Sequence, residues 1–449
     1  MPNADAIIIG GGLAGLAAAV DLSSRHVRVL VLEQRPHLGG RTYSFVDETT
    51  GDTVDNGQHL MMGCYHATRW LLSTIGSDHL AALQPELHID FLHPVRGASA
   101  LHCPRLPAPL HLLAGLLSLR NLSLADRLRL LRVGFEIRKP PSEIEPRIAS
   151  LTVRQWLDQL GQSDENKKYL WDIIAVGSLN DDPSDVSALL FYRVLRSAFL
   201  GDRSNSSLLV PKAGLSELFV KPCVDFIRAH GGEIITGCGV DESLFEGNRL
   251  EGVRSSDGRI RNAGAFISAI PWYAASPLFS TASGKYRWYV NGHLQSSPIV
   301  TINVWFDRIV MEQEFVALLD SRIHWVFNKS RIYGSTTEKR QYLSMVISGA
   351  GALMGEDSSN LVGSALLELG KVLPRVKQAN IVHSLVIKEK RATFSPRPDV
   401  ESHRPSCATK FENLFLAGDW TDTGYPATIE GAVLSGRKAA EAAANVLKR

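Results

Sequence analysis

Three glycine-rich stretches, each with a few polar side chains beside it, are where this sequence could do chemistry. The first is Gly10-Gly11-Gly12-Leu13-Ala14-Gly15, which fits G-x-G-x-x-G. It follows the apolar run DAIIIG and opens a stretch of helical periodicity through Leu16, Ala19 and Val20. A second apolar run, VRVLVLE, ends on Glu33 with Gln34 after it. Strand, glycine turn, helix, strand and acid in that order form a dinucleotide fingerprint. Gly10 permits the tight turn, Gly12 lets backbone approach a pyrophosphate, and Gly15 lets helix and strand close on each other. Leu13 and Ala14 open the helix, whose free N–H groups suit phosphates, and Glu33 can accept hydrogen bonds from ribose hydroxyls. The spacing alone does not separate FAD from NAD.

The second stretch is Gly39-Gly40-Arg41, where two glycines allow close approach and Arg41 can offset phosphate charge. Close behind it, VDNGQHLMMG supplies Asp55, Gly57, Gln58 and His59. The third lies near the far end, in NLFLAGDWTDTGYPATIEGAV. It reads as a short strand ending at Gly418-Asp419, a turn carrying Asp422, and a helix starting about Ala427, Thr428 and Ile429. Together these residues resemble the FAD-dependent amine-oxidase and phytoene-desaturase superfamily, which carries a glycine fingerprint, G-G-R, D-x-G and a closing strand, G-D and helix. The resemblance implies FAD gripped at both extremities. Gly10, Gly12, Leu13, Ala14, Gly15, Glu33, Gln34, Gly39, Gly40 and Arg41 would hold the adenosine and pyrophosphate. Gly57, Gln58, Gly418, Asp419, Ala427, Thr428 and Ile429 would hold the ribityl and flavin end. Val240 stands where the superfamily's backbone meets the adenine.

These groups must be positioned by a large scaffold. With 449 residues the chain exceeds one ordinary core. The expected fold class is α/β: a Rossmann-type FAD-binding domain of residues 1–64, 206–285 and 400–449, interleaved with an α+β substrate domain of 65–205 and 286–399. Helical patterns fill much of 65–205, and SPIVTINVWFD and HWVFN read as strands of a sheet flooring a substrate cavity. The stretch ISGAGALMG is glycine-rich but spaced G-x-G-x-x-x-G, one residue too long for a fingerprint, and reads as a loop. No second nucleotide site is expected, so an electron donor, NAD(P)H or a reductase, would come from outside.

Residues 105–138 are leucine-rich with interleaved arginines and read as two helices separated near Asn121, a candidate membrane contact. A net charge of +2 gives no reason to expect nucleic acid. Five dispersed cysteines suggest reduced thiols in a cytoplasm. No run reaches the roughly 20 apolar residues of a spanning helix. Asp5 stands where a secretory leader would be basic. The expected location is therefore cytoplasmic, peripheral on the inner membrane. Four histidines between His88 and His111 share no helix face and have no cysteine or acidic partner set, so no metal is expected.

The strings DNGQHLMMGCYHATRWLL, LNDDPSDVSALLFYRVL and LLVPKAGLSELFVKP resemble the squalene-associated branch of the superfamily, the hydroxysqualene dehydroxylases of bacterial hopanoid synthesis. That resemblance implies a hydrophobic isoprenoid substrate, with an allylic hydroxyl removed and hydride delivered from reduced flavin N5. His59, two residues after the D-x-G, is the first candidate to assist the departing hydroxide, and Asp422 is the second. The same scaffold is also compatible with a polyprene desaturase, an amine oxidase or a flavin electron carrier.

Overall fold

The computed structural model describes residues 4–279, 294–334 and 340–448. Its first layer is a five-stranded parallel sheet in the order Glu233–Thr236, Val29–Glu33, Ala6–Ile9, Ala265–Ser268, Leu414–Leu416. Alternation of the side chains puts each strand's two faces into two different cores. Ala6 and Ile8 pack toward Leu16 and Val20 of the helix Leu13–Ser24, whereas Ile7 and Ile9 pack toward Leu250 and Val253. The latter belong to the antiparallel meander Val240–Glu246, Arg249–Ser255, Ile260–Asn262, whose turns fall at Gly247 and Gly258. The strand order reverses between Ala6–Ile9 and Ala265–Ser268, and a doubly wound sheet opens a crevice at such a reversal. The glycine turn sits there.

The helix Ile429–Leu447 lies on the helix Leu13–Ser24 with almost nothing between the two backbones. A Cβ on Gly436 would come 2.2 Å from the Ala14 carbonyl oxygen, so only glycine permits the contact. The sheet takes strands from both ends of the chain and from its middle, which gives the FAD-binding Rossmann-type layer foreseen from the sequence.

The second layer is a seven-stranded sheet in the order Ile381–Phe394, Ser296–Phe306, Gln341–Ser348, Trp325–Asn328, Phe315–Leu318, His88–His93, Gly97–His102. It is antiparallel except where Phe315–Leu318 runs parallel to His88–His93. One face is covered by the helix Ser358–Val372 through Leu361, Ala365 and Leu369 against Val300, Ile302 and Val304. Helices from 110 to 199 cover much of the other, with Trp156, Trp171, Phe191 and Tyr192 packed edge to face in their core. A small sheet of Met61–Met62, Leu208–Pro211 and Ala81–Leu83 ties the two layers together. The domain boundary expected between 285 and 286 lies outside the described residues.

The stretch 347–355 leaves its strand as a turn with a short 3-10 segment, Gly351–Leu353, as expected of a loop. Among the described residues no helix is long and apolar enough to cross a membrane. All five cysteines are free.

Candidate active site

The glycine turn is built by exclusion. Gly10 has φ +106°, and a Cβ there would meet the Ala269 carbonyl oxygen at 2.9 Å. A Cβ on Gly15 would lie 2.0 Å from the Gly10 carbonyl oxygen. Gly12 begins the helix with no side chain capping its first amides, and Gly40, at φ +62°, faces it closely. Backbone amides and bare glycines thus form one wall of a cradle. Glu33 closes it from the side: its Oε2 accepts from the Gly11 amide at 2.6 Å and its Oε1 from the Arg35 amide at 2.8 Å. An uncapped helix start, flanked by two glycines and an acid at the next strand end, fits the pyrophosphate and ribose of a dinucleotide.

The cradle opens into a cavity of about 980 Å3. Gly10, Gly12, Leu13, Ala14, Glu33, Gln34, Gly39, Gly40, Arg41, Gly57, Gln58, His59, Val240, Gly418, Asp419, Ala427, Thr428 and Ile429 all line it. Gly15 lies behind the wall, where it lets helix and strand meet. Arg41 and Asp419 pair with each other: Arg41 Nη2 lies 2.7 Å from both carboxylate oxygens, and Nη1 donates to the Ala392 carbonyl. The pair pins the two distant glycine motifs to one strand of the large sheet. Thr428 caps the helix Ile429–Leu447, its Oγ1 accepting from the Gly431 amide at 3.1 Å.

Past this point the walls become apolar. Ile89, Phe91, Leu101, Trp325, Phe327 and Val346 come from the large sheet, and Ile173, Ile174, Leu195 and Phe199 from the helices over it. Of the aromatic residues in the helical half, most are core and Phe199 reaches the cavity. Polar groups also line the cavity. Gln58 and His59 stand on one wall, Ser178, Asn180 and Thr393 on another. Asn180 adopts φ +57° and donates to Thr393 Oγ1 at 2.8 Å.

His59 is held by its Nδ1, 2.8 Å from the Gly57 carbonyl oxygen. A carbonyl can only accept, so Nδ1 carries the proton and Nε2 is left for the cavity. Burial pushes the imidazolium below its ordinary range, despite that hydrogen bond and the nearby Asp55 charge. His59 is thus mainly neutral and offers a lone pair. Asp422 does not join it. Its side chain is exposed and outside the cavity walls, because the turn that carries it points the neighbouring Thr421 and Thr423 inward instead. That placement lends no support to the expectation that Asp422 assists chemistry.

Behind Gln58 lies a cluster that sequence reasoning missed. Lys329 is 1% exposed and follows the strand Trp325–Asn328. Its Nζ donates to Asp55 Oδ2 at 2.8 Å, to Gln58 Oε1, and to the Tyr333 hydroxyl. Tyr333 in turn donates to Asp55 Oδ2 at 2.6 Å. The other oxygen of Asp55 accepts from Ser44 Oγ at 2.6 Å and the Leu215 amide at 3.0 Å. Burial raises the Asp55 carboxyl, but Lys329, Ser44 and Tyr333 outweigh it and hold it below the usual carboxylate range. Burial lowers Lys329, and Asp55 offsets this in part. Glu430 was also missed: it leaves its own helix to accept from the Ala67 and Thr68 amides at 2.9 and 2.8 Å, capping the helix His66–Thr74.

The model of the flavin containing amine oxidoreductases matches residues 13–444. Hydroxysqualene dehydroxylase of Rhodopseudomonas palustris is 28% identical over 440 residues, covering 97% of each chain. A 15-cis-phytoene desaturase of Synechococcus elongatus is 26% identical, covering 97% of this chain and 94% of its own. The crystal structure of an oxidoreductase from Methanosarcina mazei aligns with a TM-score of 0.74 at 18% identity, over 97% of this chain and 99% of the other, a likeness of fold. Matched from residue 13 to 444, which takes in nearly all of its length, the chain belongs to the flavin containing amine oxidoreductase family and is an FAD-dependent oxidoreductase.

Proposed function

We propose that this enzyme removes the allylic hydroxyl of hydroxysqualene to give squalene. The observation that carries the reading is the cavity itself: a dinucleotide cradle that runs without a break into a long apolar limb. Bound FAD, once reduced by a donor from outside, supplies hydride. The overall change is one C–O bond broken and one C–H bond formed, with hydride and a proton consumed and water released.

The chain's own residues have three tasks. Glycine backbone at 10–15, 39–40 and 418, with Glu33 and Val240 beside the adenosine end and Thr428 with its neighbours at the flavin end, fixes the cofactor's ends. The aliphatic and aromatic walls hold the polyprene and exclude water from a carbon that becomes electron-poor as the C–O bond stretches. His59 handles the hydroxyl. In the neutral tautomer its Nε2 accepts a hydrogen bond from the substrate hydroxyl and orients it; as imidazolium the same nitrogen donates the proton that turns hydroxide into water. Gln58, fixed by Lys329, keeps the peptide of His59 in place through its Nε2, 3.2 Å from the His59 carbonyl. The reading places the enzyme in the cytoplasm, at the inner face of the membrane that dissolves its substrate.

A desaturase reading uses the same cavity with electrons flowing the other way, and the similarity to 15-cis-phytoene desaturase is what supports it. Anaerobic incubation of FAD-loaded protein with hydroxysqualene and dithionite separates the two. Squalene formed in step with reoxidation of the flavin supports dehydroxylation. Intact hydroxysqualene, together with new double bonds when oxidised enzyme meets squalene, overturns it.

A further inference from the structure

The two leucine-rich helices, Leu110–Ser118 and Leu124–Glu136, form where the break near Asn121 was expected. They turn an unusual face outward. Leu106, Leu110, Leu113, Leu124, Leu128 and Phe135 are all exposed, Leu124 and Phe135 by 67% each. Leu110 with Leu113, and Leu124 with Leu128 and Phe135, fall on common helix faces. So the exposed leucines are two stripes, not scattered points, and a contiguous apolar patch of this kind marks a contact surface.

The charge around the stripes is one-sided. The only acids on the second helix, Asp126 and Glu136, are turned inward. Asp126 is buried against Ser123, Ser163 and Arg129, and Glu136 against Lys139 and Arg147. Arg127 is also spent inside, tying the helices together through the Leu117 and Leu122 carbonyls. Arg120, Arg132 and Arg138 remain exposed, and Arg105, also exposed, pairs with Glu86 at 3.1 Å. A leucine face rimmed by cations with its carboxylates withdrawn is complementary to an anionic lipid surface and not to water.

The hairpin is also joined to the apolar limb of the cavity. A Cβ on Gly115 would come within 2.4 Å of Cys103 Sγ and 3.3 Å of Leu101, a cavity-wall residue. His111 Nε2 lies 3.1 Å from Ser206 Oγ, just beyond the helix whose Leu195 and Phe199 line the same limb. We propose that this hairpin seats the protein on an anionic bilayer, leucines in the interface and arginines among the headgroups, beside the end of the cavity that receives lipid. The use of that placement rests on the polyprene reading; the binding itself does not.

The test is co-sedimentation of the FAD-loaded full chain with vesicles of phosphatidylcholine alone or of equal parts phosphatidylcholine and phosphatidylglycerol. Binding to the mixed vesicles, lowered roughly tenfold or more by Leu124→Asp with Leu128→Asp and weakened by salt, is the expected result. Arg120→Gln with Arg138→Gln should remove the preference for phosphatidylglycerol while leaving the flavin spectrum unchanged. The inference is overturned by equal binding of wild type and the leucine variant, or by no vesicle binding. It is equally overturned if the leucine variant only dissolves a dimer seen in sedimentation without lipid. Because no substrate is present, failure here leaves dehydroxylation in detergent intact, and failure of that activity leaves vesicle binding to be read.

Discussion

Replacing Lys329 by methionine keeps the length of the apolar stem and removes the ammonium from beneath Gln58. Asp55 is then a buried carboxylate without its cation, and breaking a buried pair from one side costs about 3–5 kcal/mol. Ser44, Leu215 and Tyr333 still donate to Asp55, so Lys329→Met should fall near the lower end, about 3 kcal/mol. Asp55→Asn instead strands an ammonium whose remaining partners are the neutral Gln58 and Tyr333, and should cost nearer 4–5 kcal/mol. The double variant should lose far less than the two together, because neither charge is left unpaired. Urea unfolding of the FAD-loaded protein, followed by tryptophan fluorescence, gives all three differences.

The pH dependence has a definite sign. In the wild type, Asp55 sits below its unfolded value. Its contribution is present in full above that unfolded value and is lost as pH falls through the folded one. Without Lys329, burial dominates and raises the carboxyl, so the penalty grows as pH rises and shrinks on acidification. The gap between wild type and Lys329→Met should therefore be smaller at low pH than near neutrality. A single variant within about 0.5 kcal/mol of wild type, strict additivity in the double, or a gap that widens on acidification would each refute the reasoning.

Gly15→Val should abolish flavin retention, read as loss of visible absorbance after gel filtration, because its Cβ would fall on the Gly10 carbonyl. His59→Gln should lower single-turnover dehydroxylation and flatten its pH profile. In the wild type the rate should fall as pH rises through a midpoint below the ordinary histidine value, since burial disfavours the imidazolium. Asp422→Asn should change neither flavin retention nor that profile.

The Rossmann layer was legible because its signals are local. Buried parallel strands are continuous apolar runs, and the turn needs glycines at fixed offsets, so Gly10, Gly12 and Gly15 announce themselves along with Glu33. The far wall was legible only through the resemblance of Gly418-Asp419 and the following helix to a known pattern. Lys329 was not legible. A lysine directly after VFN looks like the polar end of a strand, and its three partners lie more than 270 residues away or one helical turn on. Glu430 went unnoticed for a related reason: an acid in a helix's first turn suits its own macrodipole, yet this one caps another helix. The exposure of Asp422 depends on how one turn rolls, and residue type carries no record of that.

The two sheets are each assembled from segments that alternate along the chain, with strands at 6–33, 233–268 and 414–416 in one and at 88–102 and 296–394 in the other. Neither sheet is therefore written as one continuous block of coding sequence. A block exchanged between relatives would part strands from their sheet neighbours, as 296–394 would be parted from 88–102, so each foreign block must re-form its pairing with strands it did not come with.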